Sequence, residues 1–188
     1  MFNLPLQLRQ PRRLSLYLPG ALVICALLLS FVMQVNDQAN AQAVKTTSLC
    51  GKGEKTIFTC PVKPSTKIVS LCSSAKLTKT EGYLQYRFGL PGKVELEYPK
   101  DRTGSHDAFA YSHYFRAKVD LTEISFSLDG YSYTVFDNYN AEERPTISAQ
   151  GVTVTSSDNQ KEVTYSCRTR AKVDFGNLSE VLTNNSEP

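Results

Sequence analysis

His106 and His113 are the only imidazole bases in a chain of 188 residues, so any acid–base chemistry built on histidine must use one of them. Ser105-His106-Asp107 sets the three residue types of a hydrolytic triad side by side. Neighbours on an extended chain point in alternating directions, however, so the tripeptide reads as a loop rather than as an assembled site. No serine sits in a G-x-S-x-G elbow. Carboxylate pairs suited to glycoside hydrolysis occur at Glu95/Glu97, on the outer face of one strand, and at Glu142-Glu143, in a loop. Both have the character of solvated surface. No phosphate loop, dinucleotide fingerprint, EF-hand loop or H-E-x-x-H is present, and neither a cofactor nor a metal is expected.

One stretch has the character of a binding surface: Tyr111, His113, Tyr114 and Arg116, within Tyr-Ser-His-Tyr-Phe-Arg. Tyrosine and arginine dominate interface hot spots, and Tyr, His and Arg side chains stack on sugars and peptides. In the competing reading Tyr111 and Phe115 are core and His113 caps an edge. Tyr139, among charges in 137–144, offers a second, weaker candidate.

These residues need a frame, and strand signals supply it. In 123–137, Asp129-Gly130 provides the two φ > 0 positions of a tight hairpin turn. That turn sets Leu128 opposite Tyr131, Phe126 opposite Tyr133 and Ile124 opposite Val135, all on one buried face. A hairpin over 82–99 is expected around Leu90-Pro91-Gly92, with Phe88 opposite Val94, Tyr86 opposite Leu96 and Leu84 opposite Tyr98. Arg87 and Glu95 then form a surface ion pair, worth little. A third hairpin joins 151–156 to 161–168, with Val152, Val154, Val163, Tyr165 and Cys167 on its apolar face. The first in the chain joins 54–62 to 67–73, with Phe58 opposite Leu71 and Cys60 opposite Val69. Residues 108–119 read as one strand, irregular near Ser112, with a short helix as the alternative. Residues 138–146 read as a surface loop, 177–182 as the best candidate for a short helix, and 183–188 as a frayed tail. The fold class is all-β, an antiparallel barrel or two-layer sandwich of eight or nine short strands joined by hairpins. Without tryptophan, Tyr and Phe must fill the large core volumes.

The N-terminus has the three parts of a cleavable signal peptide. Arg9, Arg12 and Arg13 are followed by an apolar run over 21–33 and then by Ala39, Ala41 and Ala43. Residues 1–43 are therefore assigned as the leader, 44–182 as a single β domain and 183–188 as the tail. An uncleaved leader would be the sole route to a membrane. Of 21 basic and 18 acidic residues the leader holds three arginines and one aspartate, leaving 18 against 17. That near-neutral balance gives no reason to expect nucleic acid. Cys25 leaves with the leader. Cys50, Cys60, Cys72 and Cys167 remain, without the close pairs of a zinc knuckle, and read as two disulfides. Cys60 and Cys72 point to opposite faces of the first hairpin. Cys50 lies near the end where Cys72 finishes, so the geometry predicts Cys50–Cys72. Cys60 and Cys167, both facing inward, are expected to join the first strand to the last.

The runs Ser48-Leu49-Cys50, Ile57-Phe58-Thr59-Cys60 and Lys67-Ile68-Val69-Ser70-Leu71-Cys72 resemble a group of uncharacterised exported proteins of Gram-negative bacteria. So do Gly82-Tyr83-Leu84-Gln85-Tyr86-Arg87-Phe88-Gly89 and Tyr133-Thr134-Val135-Phe136-Asp137. The likeness covers most of 48–167. It implies export and a bacterial source, and it carries no activity or catalytic residue. In size, strands and disulfides the chain is also similar to small periplasmic β-barrel lysozyme inhibitors, a likeness of fold alone. The expected function is a non-catalytic binding module, periplasmic or secreted, for a protein or glycan of the cell envelope or surroundings. The alternatives are a hydrolase with a site built from scattered residues and a structural part of an envelope assembly.

Overall fold

Period-two alternation builds most of this molecule. The computed structural model describes residues 48–184; residues 1–47, within which the expected leader falls, and 185–188 lie outside them. Nine strands of five or more residues follow one another: β1 (Lys55–Pro61), β2 (Ile68–Ser73), β3 (Leu84–Leu90), β4 (Lys93–Tyr98), β5 (Ala110–Arg116), β6 (Val119–Leu128), β7 (Tyr131–Asn140), β8 (Ile147–Ser156) and β9 (Glu162–Ser166). Two-residue strands β10 (Lys172–Val173) and β11 (Thr183–Asn184) and a one-turn helix α1 (Leu178–Val181) complete the chain. They form a five-stranded sheet ordered β10-β1-β2-β3-β4 and a six-stranded sheet ordered β11-β5-β6-β7-β8-β9. Pairing is antiparallel except for β11 on β5. Neither sheet closes on itself, so the architecture is the two-layer sandwich and not the barrel. Among the described residues no helix is long and apolar enough to cross a membrane.

Three hairpins have the expected register. Phe58 faces Leu71 and Cys60 faces Val69 in β1–β2. Leu128 faces Tyr131, Phe126 faces Tyr133 and Ile124 faces Val135 in β6–β7. Val152 faces Tyr165 and Val154 faces Val163 in β8–β9. The hairpin of β3 and β4 differs. Its partners are Tyr86 with Tyr98, Arg87 with Glu97 and Phe88 with Leu96, two residues away from the expected pairing: one because Leu90 pairs with Lys93 around a two-residue loop, Pro91-Gly92, and one because the register shifts between Phe88 and Gly89. The strand expected over 108–119 is present as β5, which pairs without irregularity through Ser112 and ends at Arg116; a turn at Lys118, with φ 68°, leads into β6, which begins at Val119, ahead of the expected 123. β7 runs on to Asn140, which shortens the expected surface loop to 141–146. Thr183 and Asn184, expected in a frayed tail, pair with Ala110 and Tyr111.

Gly89 makes the bulge possible. Its φ is 151°, and a Cβ there would lie 2.5 Å from the Lys93 carbonyl oxygen. Gly89→Ala is expected to lower the unfolding free energy by about 1–3 kcal/mol, read as a reduced denaturant midpoint at unchanged slope.

Aromatic rings fill the core, with Phe126 at its centre. It stacks on Tyr98 at 4.7 Å and on Tyr133 at 4.8 Å, and meets Tyr86 at 5.0 Å and Phe109 edge-on at 5.3 Å. Both expected disulfides are present, Cys50–Cys72 and Cys60–Cys167. They place the folded domain in an oxidising environment outside the cytoplasm.

The outer face of the five-stranded sheet is covered by residues 48–54. Cys50 ties that segment to β2. Beneath it lies Arg87, 4% exposed. The surface pair expected between Arg87 and Glu95 is therefore a buried network with other partners. All five guanidinium N–H donors are used. Nε donates to Glu97 Oε1 (2.9 Å), Nη1 to Glu54 Oε2 (2.5 Å) and Leu49 O (3.1 Å), and Nη2 to Glu54 Oε1 (2.9 Å) and Gln85 Oε1 (2.8 Å). Glu95 instead pairs with Lys67 at 2.6 Å, both about one-third exposed.

Candidate functional site

Strand alternation divides the four residues singled out on β5. Tyr111 and His113 face the sandwich interior; Tyr114 and Arg116 face the opposite side of the sheet. Tyr111, 8% exposed, joins the core beside Ile124. Tyr114 is 53% exposed, and the Arg116 guanidinium lies 5.9 Å from its ring centre while pairing with Glu142. Phe115, the alternative core residue, is 71% exposed. The structure thus does not gather these residues into one patch. It takes His113 into a different group, because His113 Nε2 lies 2.9 Å from Asp120 Oδ1 on β6.

That group is a set of rows across the inner face of the six-stranded sheet. One core row holds Tyr111, Ile124, Val135, Val152 and Tyr165. Two residues further along, the row is His113, Thr122, Asp137 and Gln150. Two further again, it is Phe115, Asp120, Tyr139 and Ser148. The inner face therefore turns from apolar to polar toward one end of the sandwich. There it opens into a cleft of about 790 Å³, lined by Asp120, Thr122, Asp137, Tyr139, Ser148 and Gln150 on the sheet side. The facing wall is Cys167, Arg168, Thr169 and Arg170, from the connection between β9 and β10, with Val173 and Phe175 behind.

The cleft is firmly built. The Cys60–Cys167 bridge fixes the start of the arginine-bearing wall to β1. Gln150 joins the wall to the floor: its Nε2 donates to Asp137 Oδ1 at 2.9 Å, and its Oε1 accepts from the Ala171 N–H at 2.8 Å. Arg168 donates to the Ser65 carbonyl. Arg170 has no ion-pair partner among the described residues and is exposed. Asp120 is half exposed, flanked by Phe115 on one strand and Tyr139, 45% exposed, on the other.

Chemically, this arrangement offers two carboxylates, an amide, hydroxyls and two guanidinium groups, with the Tyr139 ring in the lining and Phe115 next to Asp120 on the neighbouring strand. It suits hydrogen bonding to a polar ligand better than nucleophilic attack. Three strand spacings of about 4.8 Å separate β5 from β8, so His113 cannot act as base for Ser148. Ser105-His106-Asp107 is a 3-10 turn, not a loop, and its groups hold the fold. Ser105 Oγ accepts from Leu84 N–H and donates to Leu84 O, and His106 Nε2 lies 2.9 Å from the Lys79 carbonyl. Cys50, Glu54 and Cys72 cluster closely, but the two sulfurs are bonded to each other and offer no thiolate to a metal.

A second concavity, about 380 Å³, is apolar and lies among Phe88, Leu96, Tyr131, Tyr133, Val154, Val163 and Tyr165. Pocket polarity thus differs between the two depressions, and only the first brings charged groups together.

The cleft residues do not stand out in the sequence because they lie on separate strands, yet a signal is present. Extending the β6–β7 register beyond Ile124 and Val135 sets Thr122 opposite Asp137 and Asp120 opposite Tyr139, on the face of the core residues. Compared with protein-family models, with curated proteins and with solved structures, the chain matches none.

Proposed function

We propose that this protein is an exported, non-catalytic binding module, periplasmic or secreted, that holds a protein or glycan of the envelope or its surroundings in the polar cleft. The observation that carries the reading is the half-exposed Asp120 between the rims of Phe115 and Tyr139, facing an arginine-bearing wall tied down by a disulfide. Rigid, concave sites with a few convergent polar groups are the usual form of a binding site. The leader read in the sequence and the two disulfides support export.

The test is capture from an envelope extract by immobilised protein and by two variant pairs. Asp137→Asn with Arg170→Ala is expected to abolish retention. Tyr114→Ala with Arg116→Ala, on the far side of the same sheet, is expected to leave it unchanged. Retention lost only in the second pair would move the site to the outer face. A second reading, a hydrolase, draws on Asp120 and Asp137 sharing one cleft. A general acid of that chemistry needs a carboxyl in apolar surroundings, whereas Asp120 is half exposed and Asp137 is hydrogen-bonded to Gln150.

A further inference from the structure

We propose that the ligand of the cleft is a neutral carbohydrate chain, an inference that rests on the binding-module reading above and names its ligand class. The argument starts from the outermost row of the inner face. Phe115, Asp120 and Tyr139 stand side by side on β5, β6 and β7. Phe115 is the most exposed large apolar side chain among the described residues, and Tyr139 is nearly half exposed. Two strand spacings, about 10 Å, separate β5 from β7, so each ring can carry its own sugar residue.

A pyranose presents two kinds of surface. Its C–H faces are apolar and weakly positive, and they rest on the negative face of an aromatic ring. Its edge is a fence of hydroxyls, each both donor and acceptor. A carboxylate between two rings meets that second requirement by accepting from hydroxyls while the rings hold the faces. Asp120 is so placed, and Asp137 lies one row deeper in the cleft. Across the cleft Arg170 supplies donors for ring or hydroxyl oxygens.

Charge separates this class from its rivals. Two carboxylates face two arginines, Arg168 and Arg170, so the cleft has no net sign with which to select a polyanion. A peptide strand would be served better by apolar pockets, and the apolar concavity is at a different place, lined by Phe88, Leu96 and Val163. Hydroxyl-rich and uncharged is the chemistry that the polar cleft and its exposed rings share.

The experiment is titration of the purified exported protein with soluble oligomers of glucose and of N-acetylglucosamine, followed by amide chemical shifts. The expected result is saturable shifts confined to residues around Phe115, Asp120, Asp137, Tyr139 and Arg170, scarcely altered by added salt. Phe115→Ala and Tyr139→Ala should each weaken binding by about three- to tenfold, and Asp120→Asn by about tenfold or more. Tyr114→Ala should have no effect. Shifts that vanish with salt, or that appear only with an acidic glycan, overturn the neutral class. No shift with any sugar, together with cleft-dependent capture of envelope protein, overturns the carbohydrate inference and leaves the binding module standing. No sugar shift and no cleft-dependent capture removes both. Shortening of the oligomers during titration would keep the ligand class and overturn the non-catalytic reading.

Discussion

Arg87→Ala is expected to lower the unfolding free energy by about 3–5 kcal/mol, measured by denaturant unfolding at neutral pH. The substitution removes all five donors described above and leaves the Glu54 carboxylate, 5% exposed, without its bidentate partner, with only the Tyr83 hydroxyl, the Gly51 N–H and the half-exposed Arg102 guanidinium 3.5 Å away. A buried carboxylate stripped of its partner costs more than the pair ever contributed. Glu54→Leu combined with Arg87→Met should therefore be less damaging than either single change, a coupling that a double-mutant cycle reads directly. Equal and additive losses would show that the network is not a unit.

The same network gives the domain an acid limb. Burial alone would raise the Glu54 carboxyl, but hydrogen bonds from Arg87, the Gly51 N–H and the Tyr83 hydroxyl outweigh it and hold the group at about 2 against an ordinary 4.5. Between those values the unfolded chain binds a proton that the folded chain does not, so stability rises with pH across this window. The contribution is full above about pH 4.5 and is lost as pH falls toward 2. It amounts to about 3 kcal/mol. Glu54→Gln should flatten that limb of the stability profile. A profile unchanged by the substitution would assign the acid sensitivity to other carboxylates.

The second large effect concerns the bridges. Cys60→Ala with Cys167→Ala is expected to cost about 5 kcal/mol, and Cys50→Ala with Cys72→Ala about 3 kcal/mol. The difference follows from loop length, 107 residues against 22. Guanidinium unfolding of the two double variants checks the order. A larger loss from the shorter loop would mean that packing around the 48–54 segment, not chain entropy, sets the contribution of Cys50–Cys72. Loss of Cys60–Cys167 should also loosen the wall that carries Arg168 and Arg170, and so weaken capture more than loss of the other bridge.

How far the sequence could be read depended on which interactions decide each feature. Asp129-Gly130 dictates its own turn, and the β6–β7 register follows without ambiguity. At β3–β4 the two candidate registers differ by two residues. Both put Val94, Leu96 and Tyr98 on the same face, so hydrophobic pattern cannot choose between them. The two-residue loop and the bulge at Gly89 decide together, and a bulge is a property of the pair of strands. Arg87 has the sequence character of a surface residue for a related reason. Its main partner, Glu54, is 33 residues away, on a segment that folds over the sheet. The cleft suffered likewise. The contiguous run from Tyr111 to Arg116 holds residues that a strand sends to opposite sides. The neighbours of His113 on its own face are Asp120 and Thr122 across the ladder, not Tyr114 beside it in the chain.

The two bridges interlace along the chain, because Cys60 lies inside the loop that Cys50 and Cys72 close, while its partner lies far outside it. A chain emerging N-terminus first presents Cys50 and Cys60 together, long before Cys167. Oxidation in order of appearance joins those two neighbours, a pairing that the folded domain does not contain. Biogenesis must therefore either keep Cys60 reduced until the last strand arrives or undo the early bond by thiol exchange. Where the early bond does form, an oxidant alone is not enough, and yield in a host that cannot reshuffle disulfides should fall even where the thiols are fully oxidised.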